Sequence, residues 1–206
     1  MATTSTTTST TTTLRELSGL DQTPARLGDA TLILVDYQNT YTRGTLELTG
    51  WSEALDAAAD LLARARAAGA KVVHVIHDGG EGSAYDIRAE IGQIHERVAP
   101  VDGEPVVVKG APDSFHGTDL GEHVDAAGHK DVVVVGFMTH MCVTFTAQGA
   151  FLRGNRPTVV ADACATRPLR HGARDTDVPA EQVHHSALGT IADLYGVVVP
   201  SADHLG

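Results

Sequence analysis

Residues 131–152 read DVVVVGFMTHMCVTFTAQGAFL. The four consecutive valines predict a β-strand over residues 131–135 that is buried on both faces, because β-branched side chains favour strands and no polar residue interrupts the run. The Met-, Thr- and Ala-rich segment that follows predicts a helix over residues 141–152. A buried strand followed directly by a helix is the repeating unit of a parallel sheet covered by helices.

The same alternation of strand and helix extends in both directions from this segment. Runs of aliphatic and β-branched residues predict five further strands, over residues 31–35, 71–76, 105–108, 157–161 and 197–199. Helical patterns lie between them: one capped by Ser52 and ended by Gly69, one over residues 119–127, and one over residues 179–194 with Pro179 in its first turn. Such alternation implies right-handed crossovers. We therefore predict an α/β fold, a Rossmann-like three-layer αβα sandwich with a six-stranded parallel sheet.

Length and composition limit the number of domains and the class of partner. No linker or change of composition divides residues 14–206, which we predict to form one domain. Residues 1–13 are almost entirely Thr and Ser, which predicts a polar tail, and they lack the apolar run of a signal peptide, so we expect a cytoplasmic protein. The net charge of −11, from 15 basic and 26 acidic residues, argues against nucleic acid or an anionic membrane as a partner. This net charge is compatible with a small-molecule substrate.

Three polar residues stand at the carboxyl ends of predicted strands. Asp36 follows the first strand, Lys109 follows the third, and Cys142 lies just beyond the fourth. Functional groups gather at this edge of a parallel sheet. A helix N-terminus and a nearby ammonium group would lower the pKa of the thiol, and a carboxylate could accept its proton. Each residue alone also fits a structural role: Cys142 as a small buried side chain, Lys109 as a lysine reaching water, and Asp36 as a turn cap.

Short motifs surround these three residues. They are residues 34–39 (LVDYQN), 74–78 (HVIHD), 108–109 (VK) with 114–115 (SF), 117–120 (GTDL), 136–143 (GFMTHMCV) and 162–167 (DACATR). In this order and spacing they resemble the cysteine hydrolases of the isochorismatase-like superfamily, which includes nicotinamidases and N-carbamoyl amide hydrolases. The resemblance implies a catalytic triad of Asp36, Lys109 and Cys142. It also implies a cis peptide bond between Phe137 and Met138, with the N–H groups of Met138 and Cys142 as an oxyanion hole.

Residues 74–78 bear on whether the chain binds a metal. Nicotinamidase-type members of the superfamily hold a metal ion with an aspartate and histidines after the second strand, where this chain has His74, His77 and Asp78. The downstream Asp-x-His arrangement of those members is missing here. His74 and His77 are three residues apart on a strand, so they point to opposite faces. We therefore expect no metal and no other cofactor.

Side chains that flank the triad positions are candidates for the walls of a substrate pocket. They are Gln38, Tyr41, His77, Phe115 and Thr139. Phe115 fits the hydrophobic core equally well.

The thiol at position 142 favours hydrolysis of an amide or related C–N bond through a thioester, because superfamily members that cleave a vinyl ether commonly carry a small residue there. Members with a similar motif open the lactam amide of streptothricin-type antibiotics, which makes a cyclic amide a specific candidate. Vinyl ether hydrolysis and a non-catalytic assembly or ligand-binding role are the alternatives. A dinucleotide fingerprint, a P-loop and a G-x-S-x-G elbow are absent from the sequence. Relatives form dimers or larger rings, so we expect a homo-oligomer.

Overall fold

Strands of the chain form one six-stranded parallel sheet and one short hairpin in the computed structural model, which describes residues 11–206. In chain order the strands are β1 (Ala30–Val35), β2 (Lys71–His77), β3 (Val106–Lys109), β4 (Asp131–Phe137), β5 (Arg156–Ala165), β6 (Leu169–Arg170), β7 (Asp177–Val178) and β8 (Val197–Val199). The sheet has the order β3-β2-β1-β4-β5-β8, and all its pairs are parallel. The antiparallel pair β6–β7 was not predicted, because strands of two residues are too short to show a hydrophobic pattern in the sequence.

Helices flank the sheet and complete the α/β sandwich. They are α1 (Leu14–Leu17), α2 (Trp51–Ala67), α3 (Leu120–Ala126), α4 (Thr144–Leu152) and α5 (Ala180–Thr190). Every residue of β1 and the whole valine run of β4 are buried, as expected for strands covered on both faces. The predicted fold class is therefore confirmed. No helix within residues 11–206 combines the length and the apolar character needed to cross a membrane.

Helix α2 buries an apolar stripe against the sheet, because its small and aliphatic residues recur at helical spacing. It ends at Ala67, two residues before Gly69, which adopts a positive φ of 70° as the sequence predicts. Its start differs from the prediction, because Gly50 occupies the N-cap in a left-handed conformation and Ser52 lies inside the first turn. The Ser52 hydroxyl accepts a hydrogen bond from Arg97 instead.

The predicted Thr- and Ser-rich tail lies mostly outside the described residues, which begin at residue 11. Thr13, its last member, caps α1: its hydroxyl accepts a hydrogen bond from the Glu16 amide, and its own amide donates to the Glu16 carboxylate.

The direction of the chain across the sheet reverses between β1 and β4. From β1 the chain adds β2 and β3 on one side, and after returning to β4 it adds β5 and β8 on the other. The crevice at the carboxyl ends of β1 and β4 is thus the place where this kind of sheet binds ligands.

Candidate active site

Three side chains meet at the carboxyl edge of the sheet: Asp36 after β1, Lys109 at the end of β3, and Cys142 after β4. Lys109 Nζ lies 2.7 Å from Asp36 Oδ2 and 3.3 Å from Cys142 Sγ. The side chains of Asp36 and Lys109 have no exposed surface. The structure thus brings together the three residues that the sequence placed at strand ends.

The backbone around Asp36 is held in an uncommon conformation. Asp36 has a positive φ of 54°, which aspartate tolerates better than most residues, and its amide donates a 2.9 Å hydrogen bond to the Val75 carbonyl. On the neighbouring strand Gly136 has a φ of 148°. A Cβ at Gly136 would overlap the carbonyl oxygen of Val35, so only glycine fits beside the end of β1.

Cys142 lies in a π-helical turn, Thr139–Val143, that joins β4 to α4. The helix predicted over residues 141–152 is present, but it begins two residues earlier, and its first turn is π-helical up to the start of α4 at Thr144. Turns of this kind occur often at functional sites. The peptide bond between Phe137 and Met138, just before the turn, is cis.

The Lys109 ammonium group has an acceptor for each of its three hydrogens. Besides Asp36 and Cys142, His77 Nδ1 lies 3.4 Å from Lys109 Nζ. Burial alone would lower the pKa of Lys109, but Asp36 and Cys142 outweigh it and raise that pKa, so the group stays charged. His77 then accepts at Nδ1 and carries its proton on Nε2. Burial and Lys109 lower the pKa of His77, which favours this neutral form.

The Cys142 thiol keeps its proton at neutral pH. Burial and the Asp36 carboxylate raise the pKa of Cys142 to about 12, although Lys109 opposes the shift. The expectation that its position would favour the thiolate was wrong, because desolvation and the carboxylate outweigh the ammonium group. Burial also raises the pKa of Asp36, with Lys109 opposing. The site therefore holds a protonated thiol beside a carboxylate that can accept its proton.

Cys142 opens onto a small cavity of about 120 Å³. Its lining residues are Tyr41, His77, Tyr85, Pro112, Met138, Met141 and Cys142. Tyr41 and His77 are the two predicted pocket residues that line it. Sequence reasoning missed Tyr85, Pro112 and Met141. Their places in the sequence could have indicated them. Tyr85 is an isolated aromatic residue in the Gly- and Ser-rich loop after β2, Pro112 lies three residues after Lys109, and Met141 directly precedes Cys142.

The other predicted pocket residues have partners elsewhere and do not line this cavity. Gln38 is fully buried, and its amide group donates to the carbonyls of His77 and Gly92 and accepts from the His77 amide. Thr139 is buried with its hydroxyl 2.9 Å from His184 Nδ1. The Phe115 ring lies 5.3 Å from the Arg153 guanidinium and packs against the core. Local packing sets the positions of these three side chains, and their closeness to the triad residues in the sequence does not reveal it.

The two histidines of β2 have different surroundings. His74 is buried with Nε2 2.9 Å from Glu104, whereas His77 contacts Lys109. Within the described part of the chain, no group of three or more His, Cys, Asp or Glu side chains has the arrangement to hold a metal ion.

The second cysteine, Cys164, has a different environment. Its thiol donates a 3.3 Å hydrogen bond to the carbonyl of Val160, and burial raises its pKa to about 12. The Cys164 thiol therefore lies beside a carbonyl group, whereas the Cys142 thiol lies beside the Asp36 carboxylate, which can accept a proton.

Known proteins share both the sequence and the fold of this chain. The Isochorismatase domain family matches residues 30–203. An uncharacterised isochorismatase family protein of Bacillus subtilis is 39% identical over 170 residues, which cover 81% of this chain and 93% of that protein. A streptothricin hydrolase of Streptomyces noursei is 36% identical over 173 residues, 83% of this chain and 68% of its own length.

The crystal structure of an isochorismatase from Pseudomonas putida superposes with a TM-score of 0.90 at 39% identity, covering 94% of this chain and 98% of that one. The resemblance seen in the sequence is thereby confirmed: the chain belongs to the isochorismatase family of hydrolases.

Proposed function

We propose that this chain hydrolyses an amide or related C–N bond of a small molecule through a thioester on Cys142. The observation that carries the proposal is the position of the Lys109 ammonium between the Asp36 carboxylate and the Cys142 thiol, with the thiol opening onto a cavity. A nucleophile, a base within reach and a third group that orients both are the requirements of covalent hydrolysis.

In the first step Cys142 Sγ attacks the substrate carbonyl carbon while Asp36 takes the thiol proton. Lys109, 3.3 Å from the sulfur, stabilises the negative charge on the sulfur as the proton leaves. The carbonyl oxygen becomes an oxyanion. Our candidates for its hydrogen-bond donors are the backbone N–H groups of Met138 and Cys142, since both residues line the cavity.

In the following steps the C–N bond breaks and Asp36 donates its proton to the leaving nitrogen, which leaves an acyl group bound to Cys142. Asp36 then removes a proton from a water molecule that attacks the thioester carbonyl. The acid is released, and the proton returns to Cys142 Sγ. Asp36 thus acts alternately as base and acid, for which a raised pKa is suited.

Two observations bear on the substrate. The cavity is small and partly lined by apolar side chains, which suits the end of a molecule that carries the amide. The 36% identity to a streptothricin hydrolase supports a cyclic amide as a specific candidate. A cytoplasmic location and a homo-oligomeric state are predictions from the sequence.

The test is a screen of small amides, including lactams and streptothricin, with mass spectrometry of the protein during turnover. We expect an acyl adduct on the peptide that contains Cys142. Cys142→Ala should lose about a thousandfold or more of the rate, because no other group supplies the nucleophile. Cys164→Ala is the matched control and should keep its activity. A Cys142→Ala protein that retains most of the wild-type rate would contradict the covalent mechanism.

A further inference from the structure

Tyr85 lines the cavity onto which Cys142 opens, and the catalytic steps leave it without a role. Its ring stands edge-on to His77, with centroids 4.9 Å apart, and to Tyr41, with centroids 5.8 Å apart. Tyr41 is buried and Tyr85 is half-buried, so the pair runs from the enclosed end of the cavity toward its opening.

The two tyrosine hydroxyls are hydrogen-bonded in one direction. Tyr41 donates to the Tyr85 oxygen over 3.2 Å. The hydroxyl hydrogen of Tyr85 is therefore not used by Tyr41, and among residues 11–206 the structure shows no acceptor for it. Because the Tyr85 hydroxyl is turned toward the buried Tyr41, its hydrogen is available inside the cavity.

The loop that carries Tyr85 is held by its own hydrogen bonds. The Tyr85 amide donates to Ser83 Oγ at 3.1 Å, and the Tyr85 carbonyl accepts from Gly79 at 3.3 Å. The neighbouring Asp86 carboxylate accepts from the amides of Gly82 and Arg88. The ring is thus placed before a substrate arrives, so little conformational freedom is lost when the hydroxyl makes a hydrogen bond.

We propose that Tyr85 is a specificity-determining residue whose hydroxyl donates a hydrogen bond to an acceptor oxygen on the acyl group of the substrate. The acyl group stays in the cavity after the leaving group departs. Among the lining side chains, Met138, Met141 and Pro112 offer it no donor, whereas His77 offers its Nε2–H and Tyr85 offers the hydroxyl hydrogen that Tyr41 does not use. Tyr85 selects short acyl groups with an ether, carbonyl or hydroxyl oxygen over purely alkyl groups, which would leave its hydrogen unpaired. This inference rests on the proposed function, since it requires acylation of Cys142.

Two activated esters of equal length test the inference: p-nitrophenyl methoxyacetate, with an ether oxygen in the acyl chain, and p-nitrophenyl butanoate, with a methylene in its place. The burst of p-nitrophenolate gives the rate of acylation for each protein and ester. Tyr85→Phe should slow acylation by the methoxyacetate about fivefold and change the rate with the butanoate less than about twofold. Tyr195→Phe, which removes a hydroxyl bonded to Gln148 away from the site, is the control and should change neither rate.

The outcomes separate the two proposals. An equal loss with both esters, or no loss with either, in a Tyr85→Phe protein that shows a burst would overturn the role of Tyr85 and leave the thioester mechanism standing. A wild-type protein that releases p-nitrophenolate from both esters no faster than Cys142→Ala does would overturn the proposed function and this inference with it.

Discussion

Lys109 Nζ lies 2.7 Å from Asp36 Oδ2, and neither side chain is exposed to solvent. Each charge is removed from water and depends on the other for compensation. The pair therefore links the folding stability of the chain to the state of its candidate active site.

Replacing Lys109 by Met leaves the Asp36 carboxylate buried without a counter-charge. We expect a loss of about 3–5 kcal/mol in the free energy of unfolding at pH 8. Burial already raises the pKa of Asp36, and removal of Lys109 raises it further. The folded variant then binds a proton more readily than the unfolded chain does, so its stability falls as the pH rises through the raised pKa. Urea unfolding at pH 5 and pH 8 should show a smaller loss at pH 5.

The control for this variant is Lys71→Met, which removes a partly exposed lysine at the start of β2. It should cost much less at either pH. A loss in Lys109→Met that is the same at both pH values would show that Asp36 does not titrate in response.

Replacing Asp36 by Asn should have opposite effects on the ionisation and on the activity of Cys142. The carboxylate contributes to the rise of the thiol pKa to about 12, so without it the thiol pKa should fall, while Lys109 continues to favour the thiolate. Turnover should nevertheless fall by about a hundredfold or more, because the group that moves protons is gone. Thiolate absorbance near 240 nm against pH measures the first effect, and the acylation rate measures the second.

Asp131→Asn removes a carboxylate that pairs with Arg156 at the opposite edge of the sheet, and it should change neither quantity. An Asp36→Asn protein with an unchanged thiol pKa would mean that the Asp36 carboxylate does not contribute to the pKa of Cys142.

The sequence placed Asp36, Lys109 and Cys142 at one edge of the sheet because the ends of parallel strands share that edge, and the family resemblance implied that the three residues act together. The thiol pKa was not predictable in the same way. It depends on burial and on distances to two opposite charges, and these are set by the turn after β4. Tyr85 was missed for a related reason: a loop without hydrophobic periodicity carries it to the cavity, and only tertiary contacts fix its position. The N-cap of α2 is Gly50 and not the predicted Ser52, because the chain enters that helix in a left-handed conformation.

The rate of acylation should depend on pH through Asp36 and show no rise through the alkaline range. Asp36 must be ionised to accept the thiol proton, so the rate falls as the pH is lowered through its raised pKa. Above neutral pH the rate should stay level up to about pH 9, since the pKa of Cys142 is about 12 and that of Lys109 is raised. Burst rates with p-nitrophenyl butanoate from pH 4 to pH 9 measure the profile. A tenfold rise for each pH unit above 7 would indicate direct attack by a pre-formed thiolate.

Iodoacetamide should distinguish the two cysteines although burial raises both thiol pKa values to about 12. Both cysteines line cavities, but Cys142 lies beside a base, whereas Cys164 donates to the Val160 carbonyl, which cannot take its proton. We expect Cys142 to be alkylated about tenfold faster or more in the folded protein. Peptide mass spectrometry over time measures both rates, and equal rates are expected in urea. Equal rates in the folded protein would show that Asp36 does not activate Cys142.

Gly136 tests how closely β1 and β4 must approach to bring Asp36 and Cys142 together. Its φ of 148° and the overlap of an added Cβ with the Val35 carbonyl mean that Gly136→Ala must displace one of the two strands. We expect a cost of about 3 kcal/mol or more in the free energy of unfolding, from backbone strain and overpacking together. Gly189→Ala is the matched control: it adds the same methyl group in open space on α5 and should stabilise the protein by about 0.5–1 kcal/mol. Urea unfolding measures both, and a Gly136→Ala protein as stable as the wild type would show that the two strands can separate without penalty.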